Sequence, residues 1–185
     1  AANYAEINRL TAYLVDHPDD SDSYAARAGY WAEAGAYDLA LNDYQYAINL
    51  APKTADYWAS RATIYLTLGR DAQAAENCRI ALKHDEGNLI AYRTQAQVRF
   101  KLGRYHEALA SVNKGLLVDS SDVRLWRLRA HVHGKAGNNA SAISDLEAAV
   151  ANDPSDAQAW NDLGHFLRFD NRPTEALAAF NDAYK

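Results

Sequence analysis

Large and small apolar residues recur along this chain at a period much longer than a helical turn. Tyr24, Trp58, Tyr92, Trp126 and Trp160 stand 34 residues apart. Four positions after each comes a small residue: Ala28, Ala62, Ala96, Ala130 and Gly164. Ala40, Ala74, Ala108, Ala142 and Ala176 follow at a second fixed offset, and Ala47, Ala81, Gly115, Ala149 and Ala183 at a third. Such register through five copies, without one insertion, is an internal repeat. Small residues mark where two helices approach most closely, and the aromatics fill the gaps between them.

Each copy is predicted to be two helices joined by a turn. The turn falls at Gly35, Gly69, Gly103, Gly137 and Asn171, residue types that accept the left-handed conformation closing a helix. Pro18, Pro52 and Pro154 stop the second helix of a copy; Glu86 and Ser120 hold the same place without proline. The stretches HPDDSDS, DSSDV and DPSDA supply Asp and Ser to cap the helix that follows. The expected organisation is all-α, with repeats at 21–54, 55–88, 89–122, 123–156 and 157–185. Residues 1–20 form a capping helix or half repeat. Within them 3–16 reads as a lone second helix, because Leu10 and Tyr13 are in register with Tyr44 and Ala47.

A polar pair supports the hairpin. Arg27, Arg61, Gln95, Arg129 and Leu163 stand just before the small residue, and Asp43, Asn77, Ser111, Asp145 and Ala179 lie sixteen positions on. Arg meets Asp twice and Asn once, Gln meets Ser, and apolar meets apolar. This predicts a contact across each hairpin and assigns Arg129 a structural role.

These landmarks resemble the tetratricopeptide repeat family over residues 21–185, with Tyr24, Ala28, Trp31, Ala40, Tyr44, Ala47 and Pro52 carrying the pattern in the first copy. Cys78 and Val112 replace the second-helix aromatic, and Asp71, Asn139 and Pro173 replace the Tyr found at Tyr37 and Tyr105. The resemblance implies a right-handed superhelical solenoid of antiparallel helix pairs, with a concave groove lined mainly by first helices. It also implies a protein-interaction role.

On that implication the groove takes one stripe of each first helix. The first two repeats offer small and acidic residues, among them Asp22, Ala25, Gly29 and Asp56. The third offers Arg93, Gln97, Phe100 and Lys101; the fourth Arg124, Arg127, His131, Gly134 and Lys135; the fifth Gln158, Asn161, His165, Arg168 and Phe169. Trp126, Ala130 and His133 turn to the core instead. Arg suits bidentate carboxylate recognition, and Gln97 and Asn161 suit a peptide backbone. Family members that clamp the chaperone C-terminus carry Lys and Asn where this chain has Ala25 and Gly29. Arg93 and Gln97 echo that pair only loosely, so chaperone binding is not expected.

Charge sharpens this reading. The formal net charge is −5. Residues 1–88 hold seven Lys/Arg against thirteen Asp/Glu, and residues 89–185 twelve against eleven. A basic stretch inside an acidic chain argues for an acidic or C-terminal carboxylate partner and against nucleic acid. No apolar run is long enough to insert in a membrane, so the chain is expected to be soluble, either cytoplasmic or a trimmed envelope segment. His131 and His165 are about 10 Å apart by helix-packing distance, too far for shared metal bonds near 2 Å, so neither metal nor cofactor is expected. Cys78 falls at a core position, Asn139-Ala140-Ser141 is a sequon of low information, and no residue set carries catalysis.

The absence of Met and the Ala1-Ala2 start are those expected of a trimmed chain. The sequence stops at Lys185 without a capping helix, so Leu163, Leu167, Leu177 and Tyr184 are expected to form an exposed patch. Continuation into a capping helix that covers the patch is the favoured expectation, and self-association with another copy is the alternative. The function expected is a non-catalytic module holding a partner peptide or helix. The alternative is a structural spacer or self-assembly element of a larger scaffold.

Overall fold

The computed structural model describes residues 3–184, which contain eleven helices and no strand. Expectations about Ala1, Ala2 and Lys185 themselves lie outside the described residues. The helices are α1 (Tyr4–Asp16), α2 (Ser21–Glu33), α3 (Tyr37–Leu50), α4 (Ala55–Thr67), α5 (Asp71–His84), α6 (Leu89–Lys101), α7 (Tyr105–Val118), α8 (Val123–Lys135), α9 (Asn139–Asn152), α10 (Ala157–Phe169) and α11 (Pro173–Asp182). The chain divides into two compact units, Ala1–Thr94 and Gln95–Lys185, with the boundary inside α6.

The turns between paired helices obey backbone sterics. Gly35, Gly69, Gly103 and Gly137 have φ between 72° and 79°, and Asn171 takes φ 59° in the fifth turn. Asp20, Asp122 and Asp156 cap α2, α8 and α10 by accepting backbone N–H bonds, so the Asp-rich linkers act as the sequence implies.

In the first unit α1 packs on α2, and its Ile7, Leu10 and Leu14 are buried. Tyr13 is exposed although Ala47, in register with it, is buried; its ring stacks on His17 at 4.0 Å. Ala28, Ala40, Tyr44, Ala47 and Ile48 form one cluster with Tyr57 and Ile64, and Cys78 lies in a second cluster with no exposure. Polar groups close this unit across neighbouring hairpins. The Tyr57 hydroxyl donates to Asp22, and Asn88 Nδ2 donates to Asp56 Oδ1 at 2.6 Å. Two acidic residues expected to face a ligand are thereby engaged internally.

In the second unit α8 packs on α9 and α10 on α11; α10 also touches α9 and α8. Ala130, Ala142, Leu146, Ala149, Leu163 and Leu167 share one core. The expectation that Leu163 and Leu167 lie exposed is incorrect, since they are 5% and 4% exposed. Leu163 takes the hairpin-facing place that Arg takes in the first, second and fourth copies, and Leu167 follows one turn later on that face. Leu177 and Tyr184 are exposed as expected, at 62% and 91%.

The five repeating aromatics are not uniformly buried. Tyr92 is buried, and the other four are half-buried. Four of the five carry a polar tip bonded to a loop carbonyl, which the spacing alone did not reveal. The indole N–H groups of Trp58, Trp126 and Trp160 donate to the carbonyls of Pro52, Ser120 and Pro154 at 2.8–2.9 Å, and the Tyr92 hydroxyl donates to the Glu86 carbonyl. Each of these four aromatics ties its helix to the loop six residues before it, and the indoles so keep one edge near solvent.

Candidate functional site

The cross-hairpin pairs are present. Arg27 forks onto Asp43 with two 2.7 Å bonds, and Arg129 onto Asp145 at 2.9 and 2.7 Å. Arg61 Nε donates to Asn77 at 2.9 Å, and Ser111 bonds Gln95 at 2.8 Å. The same arginines also reach sixteen positions back, Arg27 to Thr11, Arg61 to Gln45 and Arg129 to Asn113. Each therefore ties its helix to the preceding second helix as well as to its own partner helix. Among the described residues Arg61 has no carboxylate partner; burial pushes its pKa down, and the rings of Trp58 and Tyr65 lie 4.8 and 5.8 Å from its guanidinium. These cations are structural.

The remaining sequence candidates fall into separate places. Arg93 is part-buried in the first unit, and its Nε donates to the Leu89 carbonyl at 3.4 Å. On the second-unit part of α6, Gln97 and Lys101 are exposed, while half-buried Phe100 meets the Tyr105 ring at 5.8 Å. The structure brings together the residues of α8 and α10, whose helices lie side by side. Arg124, Arg127, His131 and Lys135 run along one face of α8, and Asn161, His165 and Arg168 along one face of α10. Arg124, Lys135, Asn161, His165 and Arg168 are exposed.

Arg127 is not an open cation. Its Nε and Nη2 each lie 3.1 Å from Asp162 Oδ2, its Nη1 donates to Gln158 Oε1 at 3.0 Å, and Asp156 Oδ2 is 3.6 Å away. Only 20% of its side chain is exposed. Asp162 also lies 3.8 Å from His131 Nε2. The other ring nitrogen of His131 is 2.9 Å from the Arg127 carbonyl, which can only accept, so that nitrogen carries the proton.

Close packing of α8 on α10 explains the short reach. Gly134 leaves room for Phe166: a Cβ there would lie 2.5 Å from the ring. The Phe166 ring also meets His131 edge-on at 6.2 Å. Asp162 and Phe166 escaped the sequence reading because they sit one position off the stripe taken to face a ligand. The one available signal was Asp162 standing 35 residues after Arg127, one repeat plus one step.

At the turn end of α10 the Arg168 guanidinium lies 5.6 Å from the Phe169 ring, which is 71% exposed. The His165 ring meets Phe180 edge-on at 5.2 Å. Among the described residues, no group of three or more His, Cys, Asp or Glu is placed to hold a metal ion, and no helix is long and apolar enough to cross a membrane. The face can therefore offer charge, amide hydrogen bonds and one aromatic edge.

The sequence profile of the tetratricopeptide repeat matches residues 32–88 and 127–185. Among solved structures the chain is similar to TTC0263 of Thermus thermophilus, a thermophilic TPR protein. That match has 21% identity and a TM-score of 0.77, covering 88% of this chain and 89% of that one. It is also similar to MamA from Desulfovibrio magneticus, at 16% identity and TM-score 0.72, covering 89% and 93%. YrrB, described as a TPR protein with an unusual peptide-binding site, is 19% identical with TM-score 0.66, covering 94% and 90%. At these identities the likeness is one of fold. No curated protein matches the chain by sequence.

Proposed function

The chain belongs to the tetratricopeptide repeat family, a family whose members generally mediate protein–protein interaction, and from that premise we propose that its second unit is a non-catalytic docking surface. The partner is an acidic protein segment or a C-terminal carboxylate, lying along α8 and α10. One observation carries this reading: Arg124, Lys135 and Arg168 are exposed on the neighbouring helices α8 and α10 of a chain whose net charge is −5. Asn161 stands among them to bond a peptide backbone, and the exposed Phe169 ring supplies apolar contact. Clustered cations steer an acidic partner and fix its register, with a strength that salt reduces. The peptide-binding site named for YrrB fits the same use of the fold.

The test is a titration of a glutamate-rich peptide against the wild type and the combined variant Arg124→Glu, Lys135→Glu, Arg168→Glu. The wild type should bind and weaken as salt rises. The variant should lose binding while its melting temperature stays close to wild type, because exposed charges contribute about 0–1 kcal/mol each to folding. Unchanged binding by the variant would exclude this face.

A second reading is favoured by the last hairpin, where Phe169, Leu177 and Tyr184 are 71%, 62% and 91% exposed. Apolar exposure of this kind suits self-association in a scaffold. Light scattering over a concentration series checks it: mass should grow with concentration and fall back in Leu177→Glu, whereas constant mass removes the reading.

A further inference from the structure

We propose that Asp162 is the residue that sets the anion preference of this face, acting as an internal competitor for Arg127. The inference rests on the docking role argued above and goes beyond it, because Asp162 is no part of the exposed cation set. Its carboxylate meets Arg127 Nε and Nη2, both at 3.1 Å, and its side chain is 18% exposed. It thus occupies the place that a partner's carboxylate would take on the same guanidinium. Gln158 and Asp156 hold the remaining Nη1 edge.

An incoming acidic side chain at this point must exchange one carboxylate for another. The exchange gains little, since the hydrogen bonds lost and made are of one kind. An approaching anion is also repelled by Asp162 while the internal pair stays closed. Acidic partners are accordingly read at Arg124, Lys135 and Arg168, with a neutral gap between them. A partner with evenly continuous negative charge is disfavoured relative to one whose acidic residues are spaced.

Asp162→Asn removes the charge and keeps an oxygen that accepts from Arg127, so the contact between α8 and α10 is retained. Asp162→Glu keeps the charge and serves as the control. The probe is a fluorescein-labelled hexaglutamate peptide, titrated by anisotropy at two salt concentrations against the intact chain.

Asp162→Asn should bind about fivefold more tightly than wild type, the size expected for freeing one partly exposed cation, with a steeper loss of affinity in salt. Asp162→Glu should match wild type. Adding Arg127→Gln to Asp162→Asn should cancel the gain, and Glu76→Gln, the same charge change at an exposed site in the first unit, should give none, whereas a general change in net charge would make it bind as Asp162→Asn does. Wild-type binding with no gain in Asp162→Asn, or a gain that survives Arg127→Gln, overturns this inference and leaves the docking role standing. Failure of both wild type and Asp162→Asn to bind overturns the docking role and this inference together.

Discussion

Arg129 is gripped on three sides: Asp145 takes its fork, Asn113 takes Nη1 at 2.8 Å, and the Trp126 ring lies 4.5 Å from the guanidinium. Asp145 is 6% exposed, and His133 Nε2 stands 3.7 Å from its Oδ2. Removing that carboxylate strands a cation with little access to water. Asp145→Ala is expected to cost roughly 3 kcal/mol, and Asp43→Ala a similar amount through Arg27. Glu76→Ala, which breaks an exposed pair with Arg79 at 2.6 Å, should leave urea stability close to wild type, because solvent screens such a pair. Equal losses at all three sites would contradict the distinction between structural and surface pairs. The pairing of residue 27 with 43 was legible because the two types co-vary between copies. The link sixteen positions back was not, since Thr11, Gln45 and Asn113 share no type that a repeat alignment exposes. Arg127 was misread for a related reason. Its neutralising Asp162 lies on the next copy, and side-chain reach between copies depends on packing distance, which Gly134 and Phe166 set.

At the scale of single elements, caps and turns decide where helices begin and end. Asn171 closes α10 with φ 59° and has a side chain where the other four turns have glycine. Asn171→Ala should therefore cost about 1 kcal/mol in that conformation, and Asn171→Gly should cost nothing or stabilise slightly, as read by thermal unfolding. Asp20, the cap of α2, has its carboxyl held below the ordinary aspartate range by the Ser23 hydroxyl and backbone N–H. Because the folded pKa is depressed, this contribution is present above the ordinary aspartate pKa and is lost as pH falls through the lowered value. Asp20→Asn retains a capping oxygen, so its urea stability should fall less steeply than wild type as pH drops below the ordinary aspartate pKa of about 4; an identical acid limb would remove the cap from the account. Turn positions were readable because they depend on local sterics alone. The exposure of Tyr13 and the burial of Leu163 and Leu167 were not, because each depends on which neighbouring helix covers a given face.

At the scale of the whole molecule, repetition made the all-α repeat fold legible from sequence, since the 34-residue register of small and aromatic residues is itself the packing plan. The identity of the proposed docking residues was only partly legible. The sequence shows which side chains point to one stripe, whereas their free charge depends on internal partners such as Asp162, Gln158 and Asp156. What remains open on the second unit is the set Arg124, Lys135, Asn161 and Arg168, and the central claim is that an acidic segment lies along it. Amide chemical-shift mapping of the isotope-labelled chain with a glutamate-rich peptide tests this most directly. The account predicts shifts concentrated at Arg124, Lys135, Asn161 and Arg168, fading as salt is raised. Shifts confined to α9 and α11, or spread evenly over the surface with no salt dependence, would contradict it.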